Sequence, residues 1–113
     1  MPGPFEELTN LDRVVHEPGR LAILTALEAC RMADFRYLQS VTALNSGTLS
    51  RHLQTLETAG LVAIKKGYRR RVPHMTLRLT RQGREAIGMY WQRLDVLRRS
   101  AQESRVPVPS SGD

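Results

Sequence analysis

The segment at positions 45–60, NSGTLSRHLQTLETAG, combines a leucine edge with a face of short hydrogen-bonding side chains. Leu49, Leu53 and Leu56 are spaced four and three residues apart, which predicts the buried edge of a helix over 46–59. At about 100° per residue, the polar side chains lie opposite or beside that edge. The candidate contact residues on this polar surface are Ser46, Thr48, Ser50, Arg51, Gln54 and Thr55.

Two of these side chains can recognise nucleotide bases. A guanidinium such as that of Arg51 can donate two hydrogen bonds to guanine O6 and N7, and the Gln54 amide can pair with an adenine edge. Gly47 adds no side chain on this face, so a ligand can approach the backbone closely. The alternative is the solvated face of an ordinary core helix, and the helix alone does not separate the two interpretations.

The segment that follows, 58–84, is strongly basic. It contains no Asp or Glu, yet it holds eight of the 17 Lys and Arg residues of the chain. Like charges at this density repel one another, whereas a polyanion relieves the repulsion and releases counterions as its phosphates are bound. We therefore predict phosphate contacts from a basic loop at 67–74 and its flank, with a solvated charge run as the alternative. The predicted contact residues are Lys66, Arg69, Arg70, Arg71 and His74.

The overall composition also favours an anionic partner. The chain has 113 residues, which suits one domain, and a formal net charge of +6. This excess favours nucleic acid first and an acidic membrane second. No apolar run reaches the roughly 18 residues of a transmembrane helix, so we expect no membrane span. The single cysteine, Cys30, can form no internal disulfide, which fits a cytoplasmic location.

Helices are predicted on both sides of the basic segment, giving a mainly α fold with one small β-hairpin (α+β). The predicted elements are helices at 8–17, 18–30, 35–44 and 46–59, strands at 61–66 and 75–80, and a last helix at 81–104. Asp34 is the expected N-cap of the third helix, and the loop 67–74 joins the strands. Residues 1–7 and 105–113 are expected to form a flexible leader and a disordered tail around the domain at 8–104.

The last helix carries an apolar seam. Apolar side chains recur at positions 87, 90, 94, 97 and 101, a heptad pattern about two heptads long. A seam this short needs support, which the predicted first helix can supply by packing beside it. We therefore predict a homodimer formed through this helix. The predicted interface residues are Leu8, Leu11, Ile87, Tyr90, Trp91, Leu94 and Leu97.

No residue pattern points to catalysis or to a metal. The cysteine and the three histidines, His16, His52 and His74, have no metal-ligand spacing. Paired carboxylates, a Ser-His-Asp set and a Gly-rich phosphate loop are not found in the sequence. We therefore expect no enzyme activity, no metal and no cofactor. Cys30 follows Leu27 by three residues, so we interpret it as a small buried residue, with a redox switch as the alternative.

Three stretches of the chain together resemble a known family. SRHLQTLETAGLV, the basic segment after it and TLRLTRQGREAI look like the winged helix-turn-helix transcriptional regulators of the MarR and ArsR type. The segment LDRVVHEPGRLAILTAL looks like the start of the small stand-alone winged-helix proteins among them. The resemblance covers about residues 11–97. One departure is the turn before the 46–59 helix, which usually carries a glycine but here is TALNSG, with its first glycine at Gly47.

The resemblance implies a winged helix-turn-helix fold with a long C-terminal dimerisation helix, and a dimeric transcription factor that binds double-stranded DNA. The 46–59 helix would enter the major groove, and the wing tip around 69–71 would lie on the backbone or in the minor groove. A symmetric dimer would bind a pseudo-palindromic operator with half-sites about 34 Å apart. Two alternatives stay open: a module that binds an acidic partner protein, and a sensor gated through Cys30 or by a small-molecule effector, for which no residue marks a pocket.

Overall fold

The computed structural model describes residues 12–103, which form four helices and a three-stranded antiparallel sheet. In chain order the elements are α1 (Pro18–Glu28), β1 (Ala33–Asp34), α2 (Phe35–Thr42), α3 (Ser46–Thr58), β2 (Val62–Arg69), β3 (Val72–Leu79) and α4 (Arg81–Glu103). This is the predicted mainly α, α+β winged-helix architecture. The leader 1–7 and the tail 105–113, together with Leu8 and Leu11, lie outside the described residues. None of the described helices is long and apolar enough to cross a membrane.

α1 begins at Pro18, whose missing N–H needs no partner at the first helical position. The preceding residue, Glu17, caps the helix because its carboxylate accepts hydrogen bonds from the N–H groups of Gly19 and Arg20, at 2.8 and 3.1 Å. Residues 12–17 form a turn, in which the His16 N–H donates to the Asp12 carbonyl. A helix was predicted at 8–17, and the part of it that the structure describes, 12–17, is therefore not helical.

The turn between α2 and α3 is built without glycine. α2 is capped by Asp34, as predicted, and ends at Ala43, which takes the left-handed conformation with φ 59° and ψ 19°. Asn45 then caps α3 by accepting a hydrogen bond from the Thr48 N–H at 2.8 Å. A left-handed conformation costs an L-residue about 1–2 kcal/mol because of steric clashes of its Cβ. Alanine has no side-chain atom beyond that Cβ. The segment TALNSG thus makes its left-handed turn at an alanine and not at a glycine.

α3 ends in a glycine cap. Gly60 has φ +78°, and its N–H donates to Glu57 O while the Leu61 N–H donates to Leu56 O. These two bonds form a Schellman motif, which satisfies the last carbonyls of the helix and turns the chain into β2. Leu56 and Leu61 are both buried in the same core cluster, as this motif favours.

The hairpin differs from its prediction. Residues 67–74 were expected to form a loop, but β2 and β3 pair along their full length, from Val62 with Leu79 to Arg69 with Val72. Only Arg70 and Arg71 remain as a two-residue turn. Pro73 is tolerated in the strand because the Arg69–Val72 pair closes the turn, so the next pair is a non-hydrogen-bonded one and the missing N–H of Pro73 costs no bond to β2.

α4 is locked onto the end of α3 by the segment LTRQG. The Thr80 hydroxyl donates to the Gly60 carbonyl at 2.6 Å and accepts from the Gly83 N–H at 2.9 Å. A Cβ at Gly83 would collide with the Leu61 carbonyl oxygen, so only glycine fits this contact. The motif therefore fixes the start of α4 against the chain that leaves α3.

Candidate nucleic-acid interface

α3 presents its predicted polar face to solvent. Leu49, Leu53 and Leu56 are fully buried, whereas Ser46, Ser50, Arg51 and Gln54 are exposed and Thr48 and Thr55 are half-buried. The Thr55 hydroxyl donates to the Arg51 carbonyl of its own helix at 3.2 Å. The Arg51 guanidinium and the Gln54 amide form no hydrogen bond with any residue in 12–103. Both groups are therefore free to bind a ligand.

A groove of about 1120 Å³ runs between α3, the N-terminus of α2 and the hairpin. Its lining includes four cations and one carboxylate. The carboxylate, on Asp34, already accepts the Tyr37 N–H at 2.7 Å. The first turns of α2 and α3 also line the groove, and helix N-termini carry partial positive charge. The groove is therefore suited to a negatively charged chain such as a phosphate backbone.

The hairpin divides its cations between two faces. Side chains alternate along β2, so Lys66 and Tyr68 lie on the same face as the buried Val62. This face is turned towards the groove, which both residues line. By this alternation Lys65 and Arg69 lie on the opposite face, but Arg69 is next to the turn and also lines the groove. None of the six cations between 65 and 78 pairs with a carboxylate in the described part of the chain. The hairpin can thus contact phosphates on both of its sides.

The hairpin tip is strained. Arg70 and Arg71 have φ of 52° and 67°, and a two-residue turn of type I′ requires positive φ at both central positions. Asn-Gly is the usual sequence there, since the left-handed conformation costs other residues about 1–2 kcal/mol each. Two adjacent arginines at such positions point to a role for their charge rather than to stability.

The structure brings six of the eleven predicted contact residues to one groove. These are Ser46, Ser50, Lys66, Arg69, Arg70 and His74. Gln54 joins Ser50 and Lys66 around a smaller hollow of about 250 Å³ next to it. The four others, Thr48, Arg51, Thr55 and Arg71, do not line the groove.

Sequence reasoning missed part of the groove lining. The missed residues include Phe35, Arg36, Tyr68 and Met75. Arg36 could have been found from its place in the first turn after the N-cap Asp34, because helix N-termini bind anions. Tyr68, 80% exposed, could be placed only once the strand register was known.

The predicted interface on α4 is partly internal to the chain. Ile87 is fully buried in the core, and Tyr90 is buried with its hydroxyl 2.8 Å from Nδ1 of His16. Leu97 is also buried and Leu94 is half-buried, whereas Trp91 remains 39% exposed. Of the predicted interface residues that the structure describes, Trp91 offers the most surface to a partner.

Cys30 is half-buried and packs against the core, and its thiol donates to the Ala26 carbonyl at 3.3 Å. α1 ends at Glu28, so Cys30 lies two residues beyond the helix and is neither on the predicted helix nor fully buried. Within residues 12–103, no group of three or more His, Cys, Asp or Glu side chains could hold a metal ion.

The winged helix DNA-binding domain family matches residues 20–97 of this chain. A transcriptional regulator homologue from Pyrococcus horikoshii OT3 is 30% identical, with a TM-score of 0.77 over 83% of this chain and 95% of that one. The fold is shared with a MarR family transcriptional regulator from Silicibacter pomeroyi, at 19% identity and a TM-score of 0.62 over 92% of this chain and 69% of that one. It is also shared with an ArsR family transcriptional regulator, at 20% identity and a TM-score of 0.52 over 94% of this chain and all of that one.

The chain belongs to the winged helix DNA-binding domain family. The family and the archaeal match support DNA binding and a role in transcription regulation. The predicted resemblance to MarR and ArsR regulators is confirmed. No protein of curated function matches the chain significantly.

Proposed function

We propose that this protein is a cytoplasmic homodimer that binds double-stranded DNA at specific sequences and thereby regulates transcription. The observation that carries the proposal is the groove that joins the polar face of α3 to the basic hairpin. One surface thus holds side chains that can bind base edges beside side chains that can bind phosphates. If the polar face of α3 were only a solvated surface, the fold would have no need of phosphate-binding side chains beside it.

The two sets have different roles in this proposal. Arg51 enters the major groove with the N-terminal half of α3, and Gln54 follows about one turn further along the helix. Both hydrogen-bond with base edges, flanked by Thr48, Ser50 and Thr55. Lys66 and Arg69 hold the phosphates that run along the groove. Arg70 and Arg71, at the hairpin tip, reach the minor groove or its backbone.

A pair of substitutions tests this division. Arg51→Ala should weaken binding to the preferred duplex by roughly 1–3 kcal/mol, relax one base position and leave random duplex nearly unaffected. Arg70→Ala should weaken binding to both duplexes alike and reduce the salt slope by about 0.9, because a phosphate contact carries no sequence information. Fluorescence anisotropy on both duplexes measures the two effects.

Equal losses on both duplexes for Arg51→Ala would contradict the proposed role of α3. An acidic partner protein is the main alternative for the basic groove. It would leave wild-type protein without preference between the duplexes, so the same titrations separate the two functions.

A further inference from the structure

α3 is tied to the start of α1 by the side chain of His52. Its Nε2 lies 3.2 Å from Oε2 of Glu17, and its Nδ1 lies 3.4 Å from NH1 of Arg20. The His52 and Arg20 side chains are largely buried, and that of Glu17 is 29% exposed. His52 lies directly after Arg51 and leans towards α1, so it flanks the proposed base-contacting face on the side away from the hairpin.

The partners of His52 define its hydrogen bonds. A guanidinium only donates, so Nδ1 accepts from Arg20 while Nε2 carries the proton and donates to Glu17. Both ring nitrogens of a neutral imidazole are thereby satisfied, and the ring has one orientation.

The cluster is itself fixed to the backbone. Glu17 accepts the N–H groups of Gly19 and Arg20, while the guanidinium of Arg20 donates to the carbonyls of Val14 and Arg13 at 2.6 and 3.3 Å. Burial alone would raise the pKa of Glu17, but hydrogen bonds from the Gly19 and Arg20 N–H groups, followed by electrostatic attraction to the His52 ring and the Arg20 guanidinium, hold it below its ordinary value. Glu17 is therefore an ionised acceptor at neutral pH.

Gly19 leaves room for the His52 ring. A Cβ at this position would lie 2.7 Å from Nε2 of His52, well inside van der Waals contact. The ring can occupy this place because Gly19 has no Cβ.

We infer that Glu17 and Gly19 are positioning residues for DNA recognition, acting through His52 to set the rotation of α3 about its axis. The inference rests on the proposed function. A rotation of about 10° moves a side-chain tip at the 5–6 Å outer radius of a helix by about 1 Å. Such a shift spoils the distances and angles of a bidentate hydrogen bond from Arg51 to a base.

Four variants separate this role from simple capping. Glu17→Asp keeps a capping carboxylate for α1 but shortens it by one methylene, so that it withdraws from His52. Gly19→Ala displaces the ring without removing any charge. His52→Gln keeps a side-chain N–H donor for Glu17, and His52→Leu removes it. Thermal unfolding establishes that each variant is folded, and Glu17→Asp remains informative if Gly19→Ala does not fold.

The experiment compares anisotropy on DNA taken from upstream of the protein's own coding region with anisotropy on a scrambled duplex of equal composition. Glu17→Asp, Gly19→Ala and His52→Leu should each weaken binding to the upstream duplex about tenfold, which is the scale of one lost base contact. Scrambled-duplex affinity and the salt slope should stay unchanged, because no phosphate contact is removed. His52→Gln should retain most of the wild-type preference.

Amide hydrogen exchange of α3 in the DNA-free protein supplies a second readout. Exchange at positions 48–55 should be faster in Glu17→Asp than in wild type, because the helix has lost a lateral contact. Unchanged exchange and unchanged duplex preference in folded Glu17→Asp and Gly19→Ala would overturn the inference. Wild type that binds neither duplex would overturn the proposed function instead, and the exchange comparison alone would then decide whether Glu17 holds α3.

Discussion

Gly83 and Gly88 lie five residues apart on α4, in different surroundings. A Cβ at Gly83 would collide with the Leu61 carbonyl, whereas a Cβ at Gly88 would meet nothing within 4 Å. The backbone at Leu61 cannot move away freely, because its N–H and carbonyl bond to Leu56 and Thr80. Sequence alone marked the LTRQG segment as a family feature, and its physical reason is this contact between two distant segments.

We predict opposite effects when each glycine is replaced by alanine. Gly83→Ala should lower the free energy of unfolding by about 2–3 kcal/mol, because the added methyl overpacks against backbone. Gly88→Ala should raise it by about 0.5–1 kcal/mol, because alanine loses less backbone entropy in a helix. Urea unfolding followed by circular dichroism measures both, and equal stabilities would contradict the proposed packing at Leu61.

The lowered pKa of Glu17 predicts a dependence of stability on pH. A carboxylate whose pKa is lower in the folded state contributes stability above its ordinary pKa of 4.5, and this contribution is lost as the pH falls through the folded value. Wild type should therefore lose stability below about pH 4.5 more steeply than Glu17→Gln. Glu28→Gln, at an exposed carboxylate on the same helix, is the control. If the stability of Glu17→Gln and of wild type falls equally steeply at acid pH, the Glu17 carboxylate does not stabilise the folded state as proposed.

At the scale of elements, four of the five predicted helices are present because their signals are local, whereas the described part of the helix predicted at 8–17 is a turn. Caps such as Asp34, and the leucine spacing of α3, depend on residues within one or two turns. The hairpin was predicted too short because Gly67, Pro73 and three arginines resemble a loop. The register of β2 with β3 places Gly67, Arg69 and Pro73 in strands instead and leaves a turn of two arginines. β1, only two residues long, is a strand solely because it pairs with β3.

Replacing the tip residues Arg70-Arg71 by Asn-Gly should separate stability from binding. Asn-Gly suits a type I′ turn, so the free energy of unfolding should rise by about 1 kcal/mol. Affinity for upstream and scrambled duplexes should fall together, and the salt slope should drop by up to about 1.8 if both arginines contact phosphates. Lys-Lys, which keeps the charge and the strain, is the matched control. Unchanged affinity for Asn-Gly would exclude the tip from the DNA interface.

At the scale of the whole molecule, the proposed dimer depends on surface that the single chain leaves exposed. The heptad pattern identified an apolar seam on α4 but could not tell intrachain packing from a partner, because both need the same spacing. Ile87 and Tyr90 proved to belong to the core of the chain, which leaves Trp91 as the principal predicted contact. Met89, 50% exposed, lies on another side of α4, about 160° away at 100° per residue.

Trp91→Arg should shift the proposed dimer towards monomer, because a charge would replace an apolar contact at the interface. Met89→Arg should leave association unchanged. Sedimentation velocity over a range of protein concentrations measures both. Dissociation by Met89→Arg alone would move the interface to the other side of α4, and a wild-type monomer at all concentrations would contradict the dimer.

The proposed DNA-binding surface was predictable in its chemistry but not in its layout. Arg51, Gln54 and the basic run could be selected from residue type and density, since recognition of bases and phosphates requires those groups. The sequence could not predict that Arg36 and Tyr68 meet at the groove or that His52 contacts Glu17. Both features depend on contacts between residues far apart in the chain.

The most direct test of base-specific DNA binding is fluorescence anisotropy of wild-type protein on its own upstream DNA and on a scrambled duplex, from about 50 to 200 mM salt. We predict tighter binding to the upstream duplex at every salt concentration, with a steep salt slope on both duplexes. Equal affinity for the two duplexes would contradict sequence-specific recognition by α3, and the absence of binding to either would contradict a DNA partner.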